Sequence, residues 1–237
     1  MPLAVSEHVR WTLLDDRAIL LCLNSGRYMG LDPIATLMWQ GVVAHESSAW
    51  VCAAIARRFQ VNPEDVAADY DAFLATLRER GMVTTDPSAG GRQPMVPRQS
   101  WKAPRLPRPL WVHAWYSLLV VSCKLRYGSF ATGYQYAAQR SRQCHVDTTR
   151  LTQRVQRALK SFGWAENVFL ARPGLDDCLA RSLSLFVFLR HVGLPAQHYI
   201  GVRGHPFTAH AWVTVEGEAL LEPPEGVQRF AVLARLS

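Results

Sequence analysis

Proline and glycine crowd one stretch of this chain and divide it. Six of the 14 prolines fall at Pro87, Pro94, Pro97, Pro104, Pro107 and Pro109, with Gly90-Gly91 among them. Proline has no backbone donor and fixes φ, so such a run supports neither a helix nor a strand ladder. Residues 85–109 are therefore expected to link a domain at 1–84 to another at 110–237. A chain of 237 residues is long enough for two small domains. With 49% hydrophobic residues it can bury a core and is not disordered. Charge follows the same partition. Residues 1–84 carry 7 Lys+Arg and 10 Asp+Glu, net −3; 85–150 carry 10 and 2, net +8; 151–237 carry 9 and 7, net +2. The overall +7 thus belongs to the middle, where Arg92, Arg98, Lys102, Arg105 and Arg108 make the linker itself basic.

The N-terminus, MPLAVSEHVRW, has no apolar stretch followed by a cleavage site, so no signal peptide is expected. The longest apolar stretch, 110–121, is broken by His113 and Ser117 and falls short of the about 20 residues that span a bilayer. Cys22, Cys52, Cys123, Cys144 and Cys178 are scattered, with no CxxC and no His/Cys pair at zinc-finger spacing. Neither a disulfide framework nor a metal is indicated. A GxxxxGK[ST] loop is absent, so no nucleotide site is visible and no cofactor is expected. The expectation is a soluble cytoplasmic protein with no membrane partner.

In the first domain, Val9, Trp11 and Leu13 alternate with polar neighbours. Asp15-Asp16-Arg17 is a turn, 18–23 an apolar run, Asn24-Ser25-Gly26 a second turn, and 27–31 a third strand. Tight turns between short strands predict an antiparallel meander. Three helices follow. Asp32-Pro33 caps the first, Ser47 or Ser48 the second, and Asn62-Pro63-Glu64-Asp65 the third, which ends at Gly81. Three strands and three helices predict a winged-helix-turn-helix-like fold. In the second domain, 110–125, 148–162 and 177–192 have helical character, and Gly193 and Pro195 stop the last. Extended runs at 196–203, 208–215 and 218–222 follow, which predicts an α+β domain.

Cys178 heads an almost wholly apolar helix, which must be central. In its first turn a thiol meets the positive end of the helix dipole, which favours a thiolate nucleophile. Asp176 and Asp177 oppose this unless they cap and point aside, and the alternative is a plain buried cysteine. His210 sits mid-strand in Phe207-Thr-Ala-His-Ala-Trp-Val, as a base for Cys178 or as a satisfied core histidine. The base needs an acidic partner, and Glu222 is the candidate; otherwise it is a solvated strand end beside Pro223-Pro224. A two-residue loop at 216–217 pairs 211 with 222 and leaves His210 and Glu222 on opposite faces. A three-residue loop at 215–217 pairs 210 with 222 and stands them opposite one another. The catalytic reading therefore predicts the three-residue loop.

The blocks Cys178-Leu-Ala-Arg-Ser-Leu-Ser-Leu, Val192-Gly-Leu-Pro-Ala-Gln, Ile200-Gly-Val-Arg and Pro206-Phe-Thr-Ala-His-Ala-Trp-Val resemble the transglutaminase-like cysteine protease of lasso-peptide maturation. The resemblance covers about residues 110–237. It implies a Cys-His-Asp triad on a papain-like or transglutaminase-like core, with Cys178 as nucleophile, His210 as base and Glu222 at the acid position, where the family has Asp. Ahead of it, the runs at 20–23, Ser25-Gly-Arg-Tyr, Gly30-Leu-Asp, Trp39, and Phe73-Leu-x-x-Leu77 with Gly81 resemble the precursor-recognition domain akin to the pyrroloquinoline-quinone biosynthesis protein D. That resemblance implies binding of a precursor's leader peptide by strand addition beside the third strand, against the third helix. By position it assigns Arg27, Tyr28 and Met29 on the strand and Asp69, Tyr70 and Phe73 on the helix, some of which must instead be core. The implied activity is a leader peptidase without cofactor. The implied partners are the precursor peptide and a separate ATP-using lasso cyclase, for which Arg126, Arg140, Arg142 and Arg150 are either a docking surface or a solvated face.

Other readings use the same residues. A transglutaminase or arylamine N-acetyltransferase would resolve the thioester with an amine, and a precursor-binding scaffold would not cleave at all. A winged-helix DNA binder is disfavoured: residues 62–80 carry Glu64, Asp65, Asp69, Asp71 and Glu79 against Arg78 and Arg80. No nucleic-acid partner is expected.

Overall fold

The structure, a computed structural model, describes residues 3–84, 109–143, 146–168, 178–204 and 206–237. The expected linker up to residue 108, and Asp176 and Asp177, lie outside the described residues. The chain divides into two compact units, Met1–Pro97 and Arg98–Ser237.

In the first unit the order is β1 (Ala4–Val5), β2 (Val9–Leu14), β3 (Arg17–Cys22), β4 (Arg27–Gly30), α1 (Pro33–Val43), α2 (Ser48–Phe59), α3 (Pro63–Glu79) and β5 (Val83–Thr84). Strands β2-β3-β4 form the expected antiparallel meander. Asp15 and Asp16, at φ 49° and 62°, make its first turn, a conformation that a short polar side chain tolerates. Each helix starts on a side-chain cap: Asp32 accepts from the Ala35 N–H, Ser47 from Trp50 and Asn62 from Glu64. Leu20, Trp39, Val51, Ile55, Leu74 and Leu77 are among the core residues that close helices onto sheet, and Trp11 stands edge-on to Trp39 at 6.2 Å. The pairing of β1 with β5 was not expected. Strands of two residues carry no period to detect.

The second unit runs α4 (Leu110–Cys123), a π-helical turn at Lys124–Gly128, α5 (Phe130–Gln143), α6 (Leu151–Val168), α7 (Cys178–His191), β6 (Ala196–Arg203), β7 (Thr208–Val215), β8 (Glu218–Leu220), α8 (Pro224–Val227) and β9 (Ala231–Leu236). Its antiparallel sheet has the order β8-β7-β6-β9. Helix α7 buries every residue from Ser182 to Leu189, as its apolar sequence requires, and packs against β6 and β7. The expected helices and strands of this half are present, with α6 longer than 148–162. Helix α5, the π-helical turn, the short α8 and β9 were not anticipated. The buried face of α5 is Gly133, Tyr134, Ala137 and Ser141, too small and polar to register as an apolar stripe. None of the described helices is long and apolar enough to cross a membrane.

Candidate active site

The N-terminus of α7 meets strand β7 at one point. There the Cys178 thiol hydrogen-bonds to the His210 imidazole, and the backbone N–H groups of Leu179 and Ala211 also donate to the sulfur. These donors outweigh the half-burial of the thiol and hold Cys178 below the ordinary thiol range. The same hydrogen bond, aided by the Glu222 charge, lifts His210 above the usual imidazole value despite burial. His210 Nε2 lies 3.3 Å from Glu222 Oε1. The three residues expected from the sequence are thus brought together in the order thiol, imidazole, carboxylate.

The hairpin that does this is not the one predicted. Val215 pairs with Glu218, Thr214 with Ala219 and Val213 with Leu220, so the loop is the two residues Glu216 and Gly217. Both are left-handed, at φ 51° and 87°, as a tight hairpin turn demands. Strict alternation would then leave Glu222 on the wrong face. Strand β8 instead ends at Leu220, and Leu221 adopts φ 60°. That one left-handed residue turns the chain over and delivers the Glu222 carboxylate to His210.

An aromatic layer backs the imidazole. Trp212 stacks on His210 with centroids 6.2 Å apart and on Tyr199 at 5.5 Å, and Phe230 lies 5.4 Å from His210. Gly201, the cross-strand partner of His210, makes room for it. A Cβ there would sit 2.8 Å from the Trp212 ring and 2.9 Å from Phe230 Cβ. On α7, one turn past Cys178, Arg181 is bound by Glu166 of α6 through two hydrogen bonds, of 2.7 and 3.2 Å. None of Gly201, Trp212, Phe230, Arg181 and Glu166 was singled out as a site residue from the sequence. Arg181 and Trp212 stood within quoted blocks, but spacing alone does not tell a site residue from its neighbours.

In the first unit, β4 is an edge strand: among the described residues its strand neighbour is β3 and no other strand lies beyond it. Beside it lies a cleft of about 520 Å3, lined by Ser25, Arg27, Tyr28, Met29, Glu79, Arg80 and Met82. Arg27 is exposed and Tyr28 partly so, while Met29 is largely core at 9% exposure. On α3, Asp69 is exposed and Phe73 packs partly against the core. Tyr70, only 3% exposed, belongs to that core, where it lies near Cys52. The helix wall of the β4 cleft is Glu79 and Arg80, at the end of α3. A helical period says which face is inward but not which end lies beside β4, so this wall was missed.

Among the described residues, Cys22, Cys52, Cys123 and Cys178 are free thiols. Among the described residues there is no group of three or more His, Cys, Asp or Glu that could hold a metal.

Comparisons with known proteins place this geometry. Residues 115–235 match the transglutaminase-like superfamily, and residues 17–83 match coenzyme PQQ synthesis protein D. The microcin J25-processing protein McjB of Escherichia coli is 34% identical over 61 residues, which is 26% of this chain and 29% of McjB. The match therefore spans less than a third of that relative's length. Two solved structures also align, each 25% identical with a TM-score of 0.34 over 35% of this chain. They are TbiB1 in complex with the TbiA(beta) leader peptide, covered to 96%, and lasso peptide synthetase B1 complexed with the leader peptide, covered to 99%. The chain belongs to the transglutaminase-like superfamily, and it carries a PqqD domain ahead of that catalytic fold.

Proposed function

We propose that this protein is a leader peptidase of lasso-peptide biosynthesis, a cytoplasmic cysteine protease that cuts a ribosomally made precursor at its leader–core junction. The contact chain Cys178, His210, Glu222 carries the reading. Its association with a PqqD domain and the similarity to McjB, named for processing microcin J25, support it.

The PqqD domain captures the leader as an added strand along the open side of β4, with Arg27, Tyr28 and the Glu79–Arg80 wall reading its side chains. Tethering raises the local concentration of the scissile bond at the second domain. The Cys178 thiolate attacks the carbonyl carbon of the last leader residue. The backbone N–H of Cys178 contributes to binding the oxyanion. The tetrahedral intermediate expels the core amine, which takes its proton from the His210 imidazolium, and a leader thioester remains. His210 then takes a proton from water as it attacks; the leader leaves as a carboxylate and the thiol is restored. Glu222 orients the imidazole and stabilises its charged form. The freed amine passes to a separate ATP-using cyclase.

Incubation with its cognate precursor peptide, followed by product mass, tests this. Cleavage at one bond that disappears in Cys178→Ala is expected. No cleavage, or cleavage surviving in that variant, sinks the protease reading, and binding without cleavage would leave a scaffold.

A further inference from the structure

Arg181 lies three residues beyond Cys178 on α7, a spacing that puts both side chains on the same side of the helix. Its guanidinium takes both carboxylate oxygens of Glu166, Nε to Oε1 at 2.7 Å and Nη2 to Oε2 at 3.2 Å. Glu166 is the more buried partner of the two, with a side chain 19% exposed against 41%. The Glu222 charge also acts on Arg181, yet the Glu222 carboxylate contacts His210. One guanidinium, a turn from Cys178, therefore contacts the Glu166 carboxylate and feels the charge of a second, Glu222. A bidentate, always-charged guanidinium binds a carboxylate better than an imidazole does. With its fork vacant, Arg181 would draw Glu222 away from His210.

We propose that Glu166 is a positioning residue: by occupying the Arg181 fork it reserves the Glu222 carboxylate for His210. The proposal rests on the triad reading above. Among the described residues, the titratable and charged groups that bear on His210 and Glu222 are Cys178 and Arg181 from α7 and, through Arg181, Glu166 from α6. On β6 the Arg203 guanidinium lies over the Phe230 ring, 5.5 Å from its centroid.

The test uses the intact protein and iodoacetamide, with alkylation of Cys178 followed by mass spectrometry between pH 5 and 9. In Glu166→Gln, Arg181 is free to pair with Glu222, His210 loses its counter-charge, and the thiolate is lost with the imidazolium. Alkylation at pH 6 should fall roughly tenfold, the effect of one pH unit on a thiolate population, and match Glu222→Gln. The double variant Glu166→Gln/Arg181→Gln removes the competitor and should recover most of the rate. Loss of a negative charge without movement of Glu222 would act the other way, favouring the thiolate. An unchanged or raised rate in Glu166→Gln, or a double variant no faster than the single, overturns the proposal. Glu166→Asp serves where Glu166→Gln does not fold. It breaks the two-point fit and should show the same fall in smaller degree, and no fall overturns the proposal. If Glu222→Gln itself leaves alkylation unchanged, the triad reading fails. If it lowers alkylation while Glu166→Gln does not, only the role of Glu166 fails.

Discussion

At the scale of single residues, the site is a balance between burial and hydrogen bonding. Burial alone would neutralise both Cys178 and His210; their mutual hydrogen bond and the Glu222 charge reverse this, lowering the thiol and raising the imidazole. Both shifts act in the direction that favours a thiolate–imidazolium pair. The cleavage rate should follow a bell, falling in acid as Cys178 takes a proton and in alkali as His210 loses one. A flat rate across pH 5–9 would exclude the pair. Glu222→Asp withdraws the carboxylate from a 3.3 Å contact and should slow cleavage without changing the melting temperature.

A second histidine shows the opposite balance. His198 is fully buried, and its Nε2–H donates to Ser182 Oγ at 3.0 Å, since that hydroxyl itself donates to the Leu179 carbonyl. Burial pushes His198 down to about 3. The unfolded chain takes up this proton below about pH 6.5, whereas the folded chain resists until about pH 3. Stability should therefore fall steadily as pH drops through that window, by on the order of several kcal/mol in all. In His198→Gln the urea midpoint should change less with pH over this range. An equal slope would show that other groups govern acid unfolding.

At the scale of elements, one backbone conformation decides whether Glu222 reaches His210. The Glu216-Gly217 turn fixes the register, and Leu221 at φ 60° corrects the face. A left-handed leucine costs roughly 1–2 kcal/mol. Leu221→Gly should relieve that strain, raising the melting temperature slightly while cleavage persists. Leu221→Val, β-branched and ill-suited to positive φ, should restore strand alternation, turn Glu222 away and slow cleavage as strongly as Glu222→Gln does. Gly201 plays the complementary part across the sheet. Gly201→Ala forces Trp212 or Phe230 to move, which should cost about 1–3 kcal/mol by overpacking and disturb the layer backing His210. Thermal melts of each variant read these effects.

At the scale of the whole molecule, the proposed function assigns recognition and chemistry to separate units. Changes on the β4 edge should act on substrate capture and changes at Cys178 on the chemical step. Arg27→Glu is expected to raise KM for the precursor several-fold and leave kcat near that of the wild type. A loss confined to kcat would place leader binding elsewhere. The charge partition has the same sense: the −3 unit is the one whose fold resembles a DNA binder, and its sign is wrong for DNA.

Much of this was legible in the sequence because it is written in local rules. The caps at Asp32, Ser47 and Asn62, the meander, and the apolar α7 with Cys178 at its start each follow from a few adjacent residues. So do the strand bounds of β6 and β7. Their side-chain periods depend on which face is buried, and hydrophobicity records that directly. Helix α5 escaped because its buried face is small and polar, and β1 and β5 because two residues make no pattern.

The sequence by itself determined that a cysteine starts a helix, that a histidine lies within a later strand, and that an acid follows the next hairpin turn. The tertiary structure decided how they meet. The catalytic reading predicts a three-residue loop, whereas the pairing of β7 with β8 leaves the two residues Glu216 and Gly217. The left-handed Leu221, the aromatic layer over Gly201 and the capture of Arg181 by Glu166 all bring together residues far apart in the chain or a backbone state unfavourable for its own side chain. Such choices are stabilised only by the packed surroundings, so no local stretch encodes them.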